Sequence, residues 1–291
     1  MPFFLKSWPA SSVRLQGLSC NVGKWKTPIR ALNTRSGSTP VAAQTSAVAN
    51  EDHFSITLDH RILKTPEGNP LTIPSSKRLL ATLVANEWDS QDKVIKHHAL
   101  PLTSLVSKAI DVFGDAGARI DACSSLLRFL DTDAICFHEE YPPQLVKLQK
   151  QHWDPLLDWT RTEFNVDIRT FDSVLVNAQP ERTRSTFQAI LGDMDQWTLA
   201  GMERAVYYSK SFIIALALVR GRLTAEEASL AAHVEVQSQI DRWGEVEDSE
   251  LSVTPPLPPG SIFNAGDTAH DVDYRDIRRQ LGSVAIIIAD V

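Results

Sequence analysis

Apolar and polar positions alternate in a stretch near residue 55, and farther along the chain apolar positions recur at helical spacing. Phe54, Ile56 and Leu58 alternate with polar neighbours, which predicts a half-buried strand. Asp59-His60 turns the chain, Arg61 to Lys64 reads as a returning strand, and Glu67-Gly68-Asn69-Pro70 is a second turn signal. Leu71 and Ile73 give a third short strand, closed by Pro74, completing a small meander. A helix follows, with Ser75 or Ser76 as its cap and Leu79, Leu80, Leu83, Val84 and Trp88 on one stripe. Val94 and Ile95 suggest one more strand. Pro101 opens a second helix that carries Leu102, Leu105, Val106, Ala109, Ile110 and Phe113, and Gly114 is placed to end it.

Everything after Gly117 reads as helix. Ile120, Cys123, Leu127 and Leu130 make one stripe, Leu145, Leu148 and His152 another, and Leu156, Trp159 and Phe164 a third. Asp154-Pro155 restarts a helix, since proline is tolerated at the first helical position. Phe187, Ile190 and Leu191 belong to a further helix after an extended connection at Val174 to Val176. Trp197 to Val219 reads as one long apolar helix closed by Gly221. Thr224 and Glu227 have capping-box spacing and start a helix through Ala228, Ala231, Val234 and Ile240 to Trp243. The predicted fold class is α+β: a small β-rich N-terminal domain, residues 51–116, followed by an all-α helical domain, residues 117–249. Residues 270–291 continue the helical part as an acidic tail. Between them, residues 250–269 hold four prolines in five positions, which excludes a helix interior.

Charge changes this picture at the N-terminus. Residues 1–50 contain six basic residues and no acid, with seven serines and four threonines. An acid-free, basic, hydroxyl-rich start has the composition of a mitochondrial transit peptide; the plainer alternative is a basic disordered tail. The 291-residue chain carries a net charge of −7, so the part beyond residue 50 carries −13. That argues against a general nucleic-acid binder, which needs a basic surface. The longest apolar run, Ser211 to Val219, is far short of the roughly 20 residues of a membrane span, so no span is expected. Three cysteines, Cys20, Cys123 and Cys136, are too few for a disulfide scaffold, and the last two read as core residues.

The candidate chemistry is thin. No phosphate-binding loop, dinucleotide fingerprint, nucleophile elbow or zinc spacing occurs. Asp131, Asp133 and His138 are possible metal ligands, but a helix end with capping acids is the favoured reading. His97-His98 are adjacent and point different ways in regular structure. Glu87, at the margin of its helix's apolar stripe, is either a general base or a structural acceptor, with the structural role favoured. Glu245, Glu247, Asp248, Asp271, Asp273 and Asp276 form an acidic tract whose plain reading is a solvated face.

The strings LDHRILKTPEGNPLTIPSS, ANEWDSQ, LPLTSLVSKAID, LLRFLDTDAICF, QHWDPLLDW, SFIIALALVRGRL, QIDRWGEVEDS and HDVDYRDIRRQLGSVA, in that order, cover nearly all of residues 53–290. Together they resemble the mitochondrial ATP synthase assembly factor 2 family, chaperones for the alpha subunit of the F(1)-ATPase. The resemblance implies a β-rich domain followed by a helical one, a mitochondrial matrix location, no catalysis and no cofactor. It implies the alpha subunit as partner; a monomer is expected, although the sequence carries no signal of oligomeric state. It makes Glu87, Trp88, Asp111, Trp243, Gly244 and Asp271 motif-supporting positions, and it carries a functional acidic residue of the tail onto Glu245 or Glu247. In the family the W-G-x-V-E motif runs straight into H-D. Here residues 250–269 intervene, as a surface loop or as a short intron read in frame. Two rivals remain at this point: a matrix enzyme using Glu87 with Asp131 or Asp133, and a stable structural subunit of a mitochondrial complex.

Overall fold

In a computed structural model, residues 45–49, 52–58, 61–91, 94–171, 178–244 and 270–290 are described. Residues 1–44 of the stretch expected as a transit peptide or disordered tail (1–50), the Asp59-His60 turn, Val174 to Val176 and the 250–269 insertion lie outside the described residues, whereas Thr45–Ala49 of the first stretch forms a strand that the reading of residues 1–50 did not expect.

The meander forms an antiparallel sheet. Strand β2 (His53–Leu58) is central: β1 (Thr45–Ala49) pairs along one edge, and β3 (Arg61–Ile62) and β4 (Thr72–Pro74) share the other. The register sets Ile56 opposite Ala47, and Phe54 opposite Ala49 and Ile73. Ser55 and Thr57 are buried along with Ile56, so β2 is covered more fully than its alternation predicts. The returning strand is shorter than expected, ending at Ile62 with one further bridge from Lys64 to Pro70.

Helix α1 (Arg78–Asp89) lies against β1, β2 and β4, and buries Leu80, Ala81 and Val84. Neither Ser75 nor Ser76 caps it. A 3-10 turn over Ser75–Lys77 occupies that position, and Leu79, expected on the stripe, is exposed. Val94 and Ile95, expected as a strand, form none and are exposed. Helix α2 (Pro101–Asp111) starts at its proline as predicted but ends before Gly114. That glycine is needed all the same, because a Cβ there would meet the Ile110 carbonyl oxygen at 2.8 Å.

The rest of the described chain is helical: α3 (Ala116–Asp131), α4 (Pro143–His152), α5 (Asp154–Phe164), α6 (Glu181–Gly192), α7 (Gln196–Ser209), α8 (Phe212–Val219), α9 (Ala225–Ala232), α10 (Val234–Trp243) and α11 (His270–Ile288). Ile120 is exposed, so the α3 stripe is buried only in its second half, at Leu126, Leu127 and Leu130. The single long helix predicted over Trp197 to Val219 is two helices. The chain breaks at Lys210, in the left-handed region with φ 56°, and Ser211 caps α8 by accepting from the Ile214 N–H at 3.0 Å. Periodicity missed the break because α8 is apolar on all sides, every residue from Phe212 to Leu218 being buried. The helix after Thr224 also breaks, at His233, into α9 and α10. Its start is as predicted: Thr224 accepts from the Glu227 N–H, and Glu227 accepts from the Thr224 N–H, a reciprocal cap.

One continuous apolar cluster runs from Ile56 and Ile73 under the sheet to Leu281, Val284 and Ile287 of α11. Helix α11 packs on α7, α9 and α2. Gly201 of α7 allows this close approach: a Cβ there would lie 3.3 Å from side-chain carbons of Val284, Ile287 and Ile288.

Candidate functional site

Pro101 opens α2 and has no N–H, so the donors left over at this helix start belong to Leu102 and Thr103. Glu87 of α1 supplies their acceptors. Its carboxylate takes the Leu102 N–H at 2.8 Å, the Thr103 N–H at 2.9 Å and the Thr103 hydroxyl at 2.7 Å. Trp88 donates its indole N–H to the same hydroxyl at 3.1 Å. Arg204 of α7 sits beside this junction and donates to the Pro101 carbonyl at 2.6 Å, Ser104 Oγ at 3.1 Å, Gln280 Oε1 at 3.3 Å and Ser283 Oγ at 3.4 Å. Burial raises the Glu87 pKa against the opposing pull of these donors and of the Arg204 charge. Glu87 and Trp88 therefore hold α1 against the start of α2, and Arg204 ties that start to α11.

Asp111 closes the other end of α2. Its carboxylate accepts from Thr65 Oγ1 at 2.6 Å, Asn69 Nδ2 at 2.8 Å and the Glu67 N–H at 3.3 Å. These bonds pin the turn containing Gly68, whose φ is 90°. Desolvation raises the Asp111 pKa, but the hydrogen bonds from Thr65, Asn69 and Glu67 outweigh it and hold the carboxyl below its ordinary value.

Trp243 ends α10 and is 70% exposed, with the Arg242 guanidinium 5.0 Å from its ring centre. Gly244 follows at φ 89° and donates to the Ile240 carbonyl at 2.8 Å, a glycine stop. Glu245 and Glu247 lie outside the described residues. Asp271 falls in the first turn of α11, and its side chain is not among those described. The structure brings Glu87 and Trp88 together on Thr103, while Asp111 and Trp243 serve other places in the fold.

The remaining candidates are occupied by structure. Asp131 accepts from the Gln179 N–H at 3.0 Å and pairs with Arg184. Asp133 is fully buried; it accepts from the Ile135 N–H at 3.2 Å and the Ile213 N–H at 2.9 Å, capping a 3-10 turn (Ala134–Cys136) and α8 at once. Burial pushes its pKa up to about 6, against the hydrogen bonds of Ser211, Ile213, Ile135 and Phe212. His138 stacks on Trp153 at 5.9 Å, and burial lowers its pKa. Among the described residues no three His, Cys, Asp or Glu side chains group as a metal site. Sequence reasoning missed Arg204; the only signal was a charged Glu203-Arg204 pair inside an apolar helix. It also missed a cleft of about 590 Å³ at the end of α7, lined by Trp153, Tyr207, Lys210, Glu235 and Asp276 among others. Those residues are scattered in sequence and share no motif.

Comparison with known proteins decides the family. The ATP12 chaperone protein family matches residues 40–161. The mitochondrial protein atp12 of Schizosaccharomyces pombe is 33% identical over 240 residues, covering 80% of this chain and 76% of that protein. This chain belongs to the ATP12 chaperone family. The mitochondrial ATP12 of Saccharomyces cerevisiae is 29% identical, with 80% of this chain and 78% of that protein covered. The crystal structure of Atp12 from Paracoccus denitrificans superposes with a TM-score of 0.67 at 25% identity, covering 84% of this chain and 96% of that one. The α+β class and the order of a small sheet before a helical body are thus those of ATP12 chaperones. The Glu87 cap, the Asp111 turn and the first half of the helical body, through Arg161, fall within the family-matched segment.

Proposed function

We propose that this ATP12 family member works in the mitochondrial matrix as a chaperone of the unassembled alpha subunit of the F(1)-ATPase, without catalysis and without a cofactor. Family membership carries the proposal, through relatives named as mitochondrial ATP12 proteins. An orphan subunit exposes the apolar surface meant for its neighbour, and such surface aggregates in water. A chaperone that covers it must release it to the true partner. Apolar contact supplies affinity, and charge supplies rate and register.

Two observations support this reading. Trp243 presents a largely bare indole at the end of α10, next in sequence to Gly244 and the acidic tract. The carboxylates raised as an acid–base pair are each committed to a different helix start or ion pair: Glu87 to α2, Asp133 to α8 and Asp131 to Arg184. Each of these carboxylates thereby serves as a structural acceptor at its own place in the fold. Glu245 and Glu247 are assigned as the client-facing acids, flanked by Trp243 and Gly244 on one side and by Asp271 beyond the insertion.

The test is co-purification of the chain with free alpha subunit, with beta subunit added as competitor. Binding that beta displaces is expected. Reversing both Glu245 and Glu247 to lysine should lower rescue of alpha-subunit assembly at least tenfold while leaving the urea unfolding curve in place. Undiminished rescue removes the tail assignment, and failure to bind alpha removes the function.

A further inference from the structure

The charge of the leader ends before the first strand begins. Its last basic residue is Arg35, and no charged side chain follows until Glu51. Strand β1 starts at Thr45. Between Arg35 and Thr45 runs the uncharged sequence SGSTPVAAQ. The match to the ATP12 chaperone family starts inside that interval, at residue 40. The composition that marks a transit peptide is therefore complete at Arg35, and the chaperone domain has started by Thr45. No lysine or arginine occurs from Ser36 to His60, so a peptidase that reads basic side chains beside its cut has its last one at Arg35.

Strand β1 belongs to the fold and not to the leader. It pairs antiparallel with β2 along its whole length, from Thr45 opposite Leu58 to Ala49 opposite Phe54. In β2, Ile56 is fully buried, and Ser55 and Thr57 on either side of it are buried as well. Helix α1 packs on β1 as it does on β2 and β4. Because β3 and β4 share the opposite edge of β2, β1 is the partner on this edge among the described strands. Removing β1 opens the edge of the central strand. Backbone groups there lose their ladder partners, and an open edge invites pairing with another chain. The two residues of β3 and the three of β4 would then be all that pairs with β2, both on one side.

We propose that the precursor is cut at a peptide bond between Arg35 and Thr45, and that the working chaperone keeps β1 as its first strand. Hydrolysis adds one water across that bond. The leader leaves with a new carboxylate, and the chaperone keeps a new amino terminus ahead of β1. The leader takes with it Lys6, Arg14, Lys24, Lys26, Arg30 and Arg35, which are all the lysines and arginines before Arg61. The boundary that composition places at residue 50 moves upstream, because a run without acids continues into β1 and says nothing of the strand. The proposal rests on the mitochondrial part of the reading above and is independent of which client is bound.

The experiment expresses the full chain in cells, fractionates them and isolates the protein from mitochondria. Its first residue is identified by N-terminal labelling and mass spectrometry. A first residue from Ser36 to Thr45 is expected. A start before Ser36, an uncut chain included, or a start beyond Thr45 overturns the proposal. Protein found only outside mitochondria removes the mitochondrial reading itself, whereas mitochondrial protein with a start outside the window removes the cut alone. A second measurement tests the reason for the boundary. Two chains made without the leader, one beginning at Ser36 and one at Asn50, are compared by urea unfolding. The chain from Asn50 lacks β1, and its midpoint should fall by about 1 M or more, with failure to fold as the extreme of the same result. Equal midpoints show that the sheet does not need β1 and overturn the proposal.

Discussion

Two helices of this protein begin on a carboxylate borrowed from elsewhere in the chain, and they differ in what surrounds it. Glu87 caps α2 from α1, part-buried, with Arg204 close enough to offset its charge. Asp133 caps α8 from the loop after α3, fully buried, and no cation is among the influences on its pKa. Both satisfy N–H groups that no intrahelical partner can reach. The buried site bears the cost of desolvating a charge, seen in a pKa pushed up to about 6. The part-buried one spreads that cost over an arginine and a threonine. The same hydrogen-bonding task is thus solved once by a fully buried carboxylate held by neutral donors and once by a part-buried carboxylate with an arginine nearby.

Breaking the buried cap should have the largest effect. Asp133→Ala strands the Ile135 and Ile213 N–H groups away from water and should cost roughly 3–4 kcal/mol, read from urea unfolding. Glu87→Ala removes the equivalent cap at a site that water reaches more easily. It should cost about 2 kcal/mol, and Glu87→Gln, which keeps one acceptor oxygen, about half of that. A cost for Asp133→Ala no larger than for Glu87→Ala would erase the contrast.

Gly201→Ala sharpens the comparison by touching one side only. Its Cβ would press on Val284, Ile287 and Ile288 one turn from Arg204, at an expected cost of about 1–2 kcal/mol. Combined with Glu87→Ala the costs should depart from additivity, because both disturb the α2–α7–α11 network. Combined with Asp133→Ala they should add.

The smallest effect is in pH. An Asp133 pKa of about 6 lies above the ordinary 3.8, so the folded protein takes up this proton before the unfolded one does. Its ionisation penalty is present above pH 6 and is relieved as pH falls toward 4. Asp133→Asn does not titrate there, so the wild type should gain on the variant by on the order of 1 kcal/mol between pH 7 and pH 5. Asp111 has the opposite sign: its contribution is intact above about pH 4 and is lost only as pH falls below that. It is common to both proteins and cancels from the difference. A wild type that loses stability relative to Asp133→Asn on acidification would contradict the buried-charge account.

Much of the fold was legible where local chemistry is decisive. Pro101 and Asp154-Pro155 marked helix starts, Thr224 with Glu227 marked a reciprocal cap, and Gly221 marked a stop at φ 67°. The failures share a cause. Val94 and Ile95 have strand propensity but are exposed and pair with no described strand. Ile120 and Leu79 continue a stripe past the point where anything packs on it. The breaks at Lys210 and His233 lie inside apolar runs, where a phase shift between two helices leaves no trace in the pattern. The site was less legible: Glu87 was noticed, but its role was set by a helix start 15 residues away, and Arg204 drew no notice at all.

What the sequence determined by itself is the set of short-range decisions: the helix starts marked by a proline or a reciprocal cap, the acidic balance of the chain beyond residue 50, and a family signature spread over most of the chain. These depend on neighbours within a few residues, so they survive in a linear reading. Only the tertiary structure decided which carboxylate caps which helix, that Gly201 lets α11 close on α7, and that Tyr207, Lys210 and Glu235 line one cleft. Such pairings join residues up to about a hundred positions apart, as Arg204 and Pro101 are. They are fixed by where the common apolar core brings the elements together, and no local pattern carries that information.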